Sequence, residues 1–324
     1  MHKKIIIAGL LLSVNFIYAQ GEEYAKLIKK ADSLYYIQGY KKAATTYSKA
    51  FETIGWKGTS NHHYNASCSW AMANLPDSSF YHLEKIARSM NFKNYDHIIK
   101  DSDLEILHND KRWKPLIELV KQNKDSAEAK LNIPLTNQLI KIYNDDQLER
   151  YKTEEVEKEF GVNSKELKAL WKVIAIKDSV NIIAIKKILD TYGWLGADVV
   201  GDIGNSTLFL VIQHADLKTQ EHYLPMMREA VKKHQASVSD LALLEDRIEI
   251  RNGRKQIYGS QISMFPNTLN HFVSPLIDPD NVDKRRAQVG LGSLADYISY
   301  WNLKWDAEQY KKDLPKIEAA QQKY

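Results

Sequence analysis

The chain has 324 residues, 44% hydrophobic and 27% charged, with 45 basic and 41 acidic side chains. That is enough apolar material for two packed domains and too little charge bias for a disordered chain. A formal charge of +4, which falls to 43 basic against 41 acidic groups without Lys3 and Lys4, makes no electrostatic case for nucleic acid or an anionic membrane surface.

The first residues have the three parts of a secretory signal: His2, Lys3 and Lys4, an apolar run from Ile5 to Ile17, and the small Ala19 before Gln20. Cleavage is expected to remove residues 1–19 and to leave an extracytoplasmic protein, periplasmic or secreted. No Cys follows the run, so a lipid anchor is not expected, and no later stretch reaches the ~20 apolar residues of a membrane span. Cys68 is the only cysteine, which excludes an intramolecular disulfide and a multi-cysteine metal site. Its surroundings, SCSWAMA, suit a buried thiol.

From Glu22 to about Ile54 the pattern predicts two helices joined near Gln38 and Gly39. Small residues (Ala31, Ala43, Ala50) alternate with large ones (Leu27, Leu34, Tyr40, Tyr47), which lets paired helices approach and interdigitate. Ala43, Tyr47 and Ala50 stand as in the second helix of a tetratricopeptide repeat, which this half resembles. A second pair, His63 to Ala73 and Asp77 to Ser89, fits loosely, with Phe80 where a small residue is expected. Asp101 to Gln122 is expected to cap the pair, with Asp110 as N-cap and Trp113, Leu116, Ile117 and Val120 as the apolar stripe. His62, His63 and His82 read as solvated or packed side chains rather than metal ligands. The domain boundaries expected are 20–124 for this half, a polar linker over 125–133, and a second helical domain over 134–324.

In that second domain Pro134 suits the first turn of a helix to about Tyr151. Ser164 is placed to cap a long helix from Lys165 toward Tyr192, with Leu167, Leu170, Trp171, Ile174, Ile182, Ile185 and Leu189 buried, a break near Asp178 and a stop at Gly193. Gly193, Gly196, Gly201 and Gly204 read as a loop whose spacing fits no nucleotide-binding fingerprint. Helices follow over Asn205 to Ala215, Thr219 to His234 and from Ser239. Asn252-Gly253 is either a helix stop or a tight turn. QIYGSQI and NHFVSPLI then alternate as an antiparallel hairpin within about 255–277, with Phe265 to Leu269 as its loop, and Asp280 or Asn281 caps a helix through VDKRRAQV. The fold class is mostly α, with helical hairpins in front and a helical domain carrying a small β-hairpin behind.

The ordered set DDQLER (Asp145 to Arg150), YGWLG (Tyr192 to Gly196), FLVIQHAD, LALLEDRI, QIYGSQ and VDKRRAQVGL resembles the bacterial family called domain of unknown function 6624, over about Leu135 to Tyr297. The resemblance implies no activity. Such a domain behind a tetratricopeptide-like half is similar to secreted proteins of Bacteroidetes-type bacteria.

Gly201 to Gln261 gathers the chemistry-bearing residues. His214 and Asp246 are the candidate catalytic pair, because a partly buried histidine tuned by a carboxylate serves as a general base. Gln213, Arg247, Gln256, Tyr258, Gln261, Arg285 and Arg286 are the candidate ligand-binding residues, since guanidinium groups take carboxylates and phosphates bidentately and the amides suit a glycan or peptide. The opposing reading is a structural network in which Arg285 or Arg286 pairs with Asp246 and Asp146 pairs with Arg247, with Asp216 capping the following helix. No metal-binding or cofactor motif is present. Two functions are left open: an envelope binding or scaffold protein that takes a protein or peptide through its front half, and an extracytoplasmic hydrolase or transferase acting on an anionic glycan or peptide.

Overall fold

A computed structural model describes residues 21, 23–265 and 270–321, so the leader expected over 1–19 and most of the loop expected over Phe265 to Leu269 lie outside the described residues. The chain divides into two compact units, one ending at Ala129 and the other beginning at Lys130.

The front unit is helical throughout: α1 (23–36), α2 (Tyr40–Thr53), α3 (Ser60–Met72), α4 (Pro76–Ser89), α5 (Tyr95–Ile98) and α6 (Trp113–Glu128), with a 3-10 turn at Ser102–Leu107. Helices α2 and α3, and α3 and α4, pack as hairpin pairs. Ala31, Ala50 and Ala66 are fully buried in one cluster with Tyr47 and Phe51, and Ala43 is fully buried as well, as the alternation of small and large residues predicts. Phe80 is buried too, with the Arg112 guanidinium 4.2 Å above its ring. Leu116 and Val120 close this core, while Trp113 and Ile117 are partly buried beside them. Two expectations change. Arg112, not Asp110, occupies the N-cap of α6, and Asp110 instead accepts the Arg112 backbone N–H at 2.9 Å. The expected linker is helical at both ends: 125–128 complete α6 and Ile133 opens the next helix. Lys, Glu and Ala are strong helix formers, and a polar run lacking Gly and Pro has no reason to stop a helix.

The back unit holds α7 (Ile133–Gln147), α8 (Thr153–Phe160), α9 (Lys165–Tyr192), α10 (Ala197–His214), α11 (Leu217–Lys232) and α12 (Val238–Arg251). The strands β1 (Ile262–Met264) and β2 (His271–Val273) come next, followed by α13 (Val282–Gln288), α14 (Leu294–Ile298) and α15 (Ala307–Gln321). Helix starts follow the sequence closely: Asn132, Ser164, Asp216 and Ser237 each accept a first-turn N–H through the side chain. Helix α13 differs, since Asn281 caps it without a side-chain bond. Residues from α7, α9, α10, α11 and α12 form one core, in which Leu139, Ile185, Leu208, Ile212 and Leu244 are fully buried. Each such side chain contributes about 1.5–3 kcal/mol by leaving water.

Helix α9 runs unbroken through Asp178 to Gly193, whose positive φ ends it. Its buried face turns through Asn181 and Ile188 rather than Trp171, which is 47% exposed. The glycine-rich stretch is mostly helical, because α10 begins at Ala197 and bends at Gly201, where φ is 73°. Gly204 lets α7 and α10 approach: a Cβ there would lie 3.0 Å from Val200 and 3.3 Å from Leu139. The hairpin pairs Ile262 with Val273 and Met264 with His271 in antiparallel register.

Candidate functional site

Helix α10 ends at His214, and α7 ends one residue past Asp146, so packing these two helices brings the side chains together. His214 Nδ1 lies 3.0 Å from Asp146 Oδ2 and 3.1 Å from Oδ1. Asp146 is almost fully buried and also accepts Gln147 Nε2 at 2.7 Å, while Arg150 Nε stands 3.5 Å away. Burial pushes the Asp146 carboxyl upward, but the hydrogen bond and charge of His214 and the charge of Arg150 outweigh it, so the group lies below the ordinary carboxylate range. Arg150 Nη2 donates to both oxygens of Asp178, at 2.6 and 2.7 Å. Asp146, Asp178 and His214 line an open cavity of about 260 Å³, together with Ser179, Ile182, Val211, Ala215 and Asp216.

Asp146, Asp178 and His214 have ligand atoms within 4.8 Å of one another, the spacing of a metal site. The Arg150 guanidinium already supplies the positive charge between the two carboxylates. The arrangement is therefore suited to proton transfer: with Nδ1 held by a carboxylate, Nε2 is the nitrogen available to a reactant.

Helix α12 places Asp246 and Arg247 on different tasks. Asp246 is fully buried and accepts the backbone N–H groups of Ile257 (2.6 Å), Tyr258 (2.9 Å) and Ser260 (2.9 Å). Burial pushes its carboxyl up, with those three bonds acting in the opposite direction. The arginine partner expected for Asp246 is replaced by backbone amides, which are fixed donors that bring no second charge into the core. Arg247 donates to Gln213 O at 3.0 Å and Gln261 Oε1 at 3.1 Å, and among the described residues no carboxylate reaches it. Burial, followed by the charges of Arg251 and Arg150, pushes the guanidinium down to about 10. Asp146, the partner expected for Arg247, pairs with His214 and Arg150 instead.

The remaining sequence candidates separate into two groups. Gln213, Arg247 and Gln261 are joined by direct bonds, since Arg247 bridges the end of α10 to Gln261, while the His214 side chain bonds Asp146 instead. Gln256, Tyr258, Arg285 and Arg286 instead hold the loop between α12 and β1. Gln256 bonds Gln261 and Ser274 through its side chain, Arg285 donates to Ile257 O, and Arg286 donates to Tyr258 O and lies over the Tyr297 ring. Asp216 caps α11 through Thr219 N at 2.8 Å. The residues that sequence reasoning passed over are Arg150, Asp178 and Arg251. The i,i+4 spacing of Asp146 and Arg150 within DDQLER was the available signal, because it places both on one helical face.

A family model described as "Family of unknown function (DUF6624)" matches residues 112–311, more than half of the chain. No curated protein and no solved structure matches it.

Proposed function

We propose that this chain, which belongs to the DUF6624 family, is an acid/base enzyme whose reacting group is His214, oriented by Asp146. The observation that carries the proposal is the buried Asp146 carboxylate on His214 Nδ1 beside an open cavity. The carboxylate fixes the tautomer and stabilises the imidazolium formed when Nε2 takes a proton, which is the task of a general base in hydrolysis or group transfer. Arg247 and Arg251, which donate to the carbonyls of Gln213 and Ala215 on either side of His214, supply positive charge for an anionic substrate. The expected reaction is hydrolysis or transfer on an envelope glycan or peptide bearing a carboxylate or phosphate, outside the cytoplasm if residues 1–19 act as the leader their pattern suggests.

Chromogenic nitrophenyl phosphates, phosphodiesters and esters test this directly. Turnover of one class should fall at least hundredfold in His214→Gln and Asp146→Asn, the scale of general acid–base catalysis. Turnover unchanged in His214→Gln would remove the proposal. The front unit, whose paired helices support the tetratricopeptide-like reading, is assigned the separate task of engaging a protein or peptide partner.

A further inference from the structure

The front unit encloses a cavity of about 460 Å³ that shares no residue with the His214 site. Its size is within the range of small-ligand sites, roughly 300–1,000 Å³. Its walls are Tyr35, Tyr36, Tyr40, Tyr47 and Tyr64, together with three carboxylates, Asp32, Asp101 and Asp103. Tyr35 and Tyr40 meet edge to face at 5.3 Å, while Tyr36 is 88% exposed at the mouth.

The polar groups are arranged with one consequence. Tyr35 donates its hydroxyl to Asp103, Tyr47 to Asp32, and Tyr64 to Asp101 at 2.6 Å. Three phenol protons are thereby committed to carboxylates, and the cavity presents carboxylate oxygens and aromatic rings together with the neutral amides of Gln38 and Asn65. Among the described residues no Lys or Arg comes within ion-pair distance of the three carboxylates, and the nearest cationisable group is His97, 3.6 Å from Asp101. An anion would meet only neutral donors, such as the amides of Gln38 and Asn65, beside three carboxylates that repel it. A guanidinium or ammonium finds carboxylates that accept its N–H groups and rings that attract its charge.

We propose that this cavity binds the lysine or arginine side chain of a basic peptide, with Asp32, Asp101 and Asp103 accepting its N–H groups and the tyrosine rings packing on its alkyl stem and cation. The inference rests on the reading of the front unit as a partner-binding module and gives that partner a chemistry. Cys68, Asp101 and Asp103 also lie at metal-ligand spacing, so a metal ion is the competing occupant. The Cys68 thiol is buried and bonded to Asp101 at 3.7 Å, and burial pushes it up, away from the thiolate a metal requires.

The test is calorimetric titration of the full chain with an N-acetylated Gly-Lys-Gly-Lys-Gly peptide and with the same peptide acetylated on both lysines. The basic peptide should bind, and acetylation should weaken it at least tenfold. Asp103→Asn should weaken it at least fivefold, as should Tyr36→Ala at an exposed position where folding is not at stake. Tyr35→Phe, which keeps both the ring and the Asp103 charge, should stay within twofold. Equal binding of the acetylated peptide would overturn the cation site while leaving a partner-binding surface in place. Failure of both peptides to bind would overturn the cation site, and with Zn²⁺ uptake lost in Cys68→Ala it would assign the cavity to a metal.

Discussion

His214 Nδ1 lies 3.0 Å from Asp146 Oδ2 although the residues are 68 positions apart in sequence. The pair exists because Gly204 and the buried Thr207, which donates to Leu139 O, let α10 lie close along α7. The register of that contact is set by apolar packing, and the polar pair is carried at the helix ends where a cavity opens.

The first prediction concerns Asp146→Asn. The amide cannot stabilise an imidazolium, so turnover should fall at least hundredfold with the fold retained. The folded-state pKa of Asp146 is depressed, so the stability it contributes is present above the unfolded value of about 3.9 and is lost as pH falls through the folded value. Wild-type melting temperature should therefore drop more steeply than that of Asp146→Asn below about pH 4. Parallel acid limbs in the two proteins would contradict the pairing.

Asp246 should behave in the opposite manner. Asp246→Ala leaves the N–H groups of Ile257, Tyr258 and Ser260 without their acceptor, at a cost on the order of 3–5 kcal/mol. Urea denaturation measures this. A loss below about 1 kcal/mol, joined to a loss of turnover, would return Asp246 to the chemistry.

Much of the helical frame was legible in the sequence, because caps such as Ser164 and Asp216 act on their own next three residues; the caps Asn132 and Ser237 came to light only in the structure. The hairpin was legible through alternation. What remained hidden was whatever depends on which helix lies beside which. Asp178 looked like a break in α9 and is instead the carboxylate that holds Arg150. Asp246 looked like one half of an ion pair, yet its acceptors' demand is met by three N–H groups eleven to fourteen residues ahead. Local propensity carries no information on either, since both follow from tertiary packing.

Arg247→Met separates a ligand-binding arginine from a structural one. Removing the guanidinium relieves a desolvated cation near Arg150 and Arg251 and leaves Gln261 Oε1 without its donor, at about 1 kcal/mol, while Gln213 O keeps the bond from Gln220 Nε2. Stability should change by no more than about 2 kcal/mol, while inorganic phosphate binding measured by calorimetry should disappear. A loss of 3–5 kcal/mol with phosphate binding intact would identify Arg247 as a brace between α10 and Gln261.

The front unit has its own acid sensitivity. His63 Nδ1 and His82 Nδ1 face each other at 2.8 Å in a buried pocket where Phe51 stacks on His63 at 4.1 Å. Two Nδ1 atoms at that distance share a single proton, so a second would place charge among aromatic rings. Burial, then Lys85, pushes His63 down to about 4, and burial, then His63 and Lys85, pushes His82 down to about 3. Both folded values lie below the unfolded value of about 6.5. The unfolded chain thus takes up protons first as pH falls. The stability held in the neutral pair is complete above about pH 6.5 and is lost on the way down toward 4, by on the order of a few kcal/mol. Melting temperature should decline between pH 7 and 5, a window above the acid limb of the carboxylates, and the double variant His63→Leu/His82→Leu should be flat there. An equal decline in both proteins would show that other groups cause it, and the short Nδ1 contact would then have no bearing on stability.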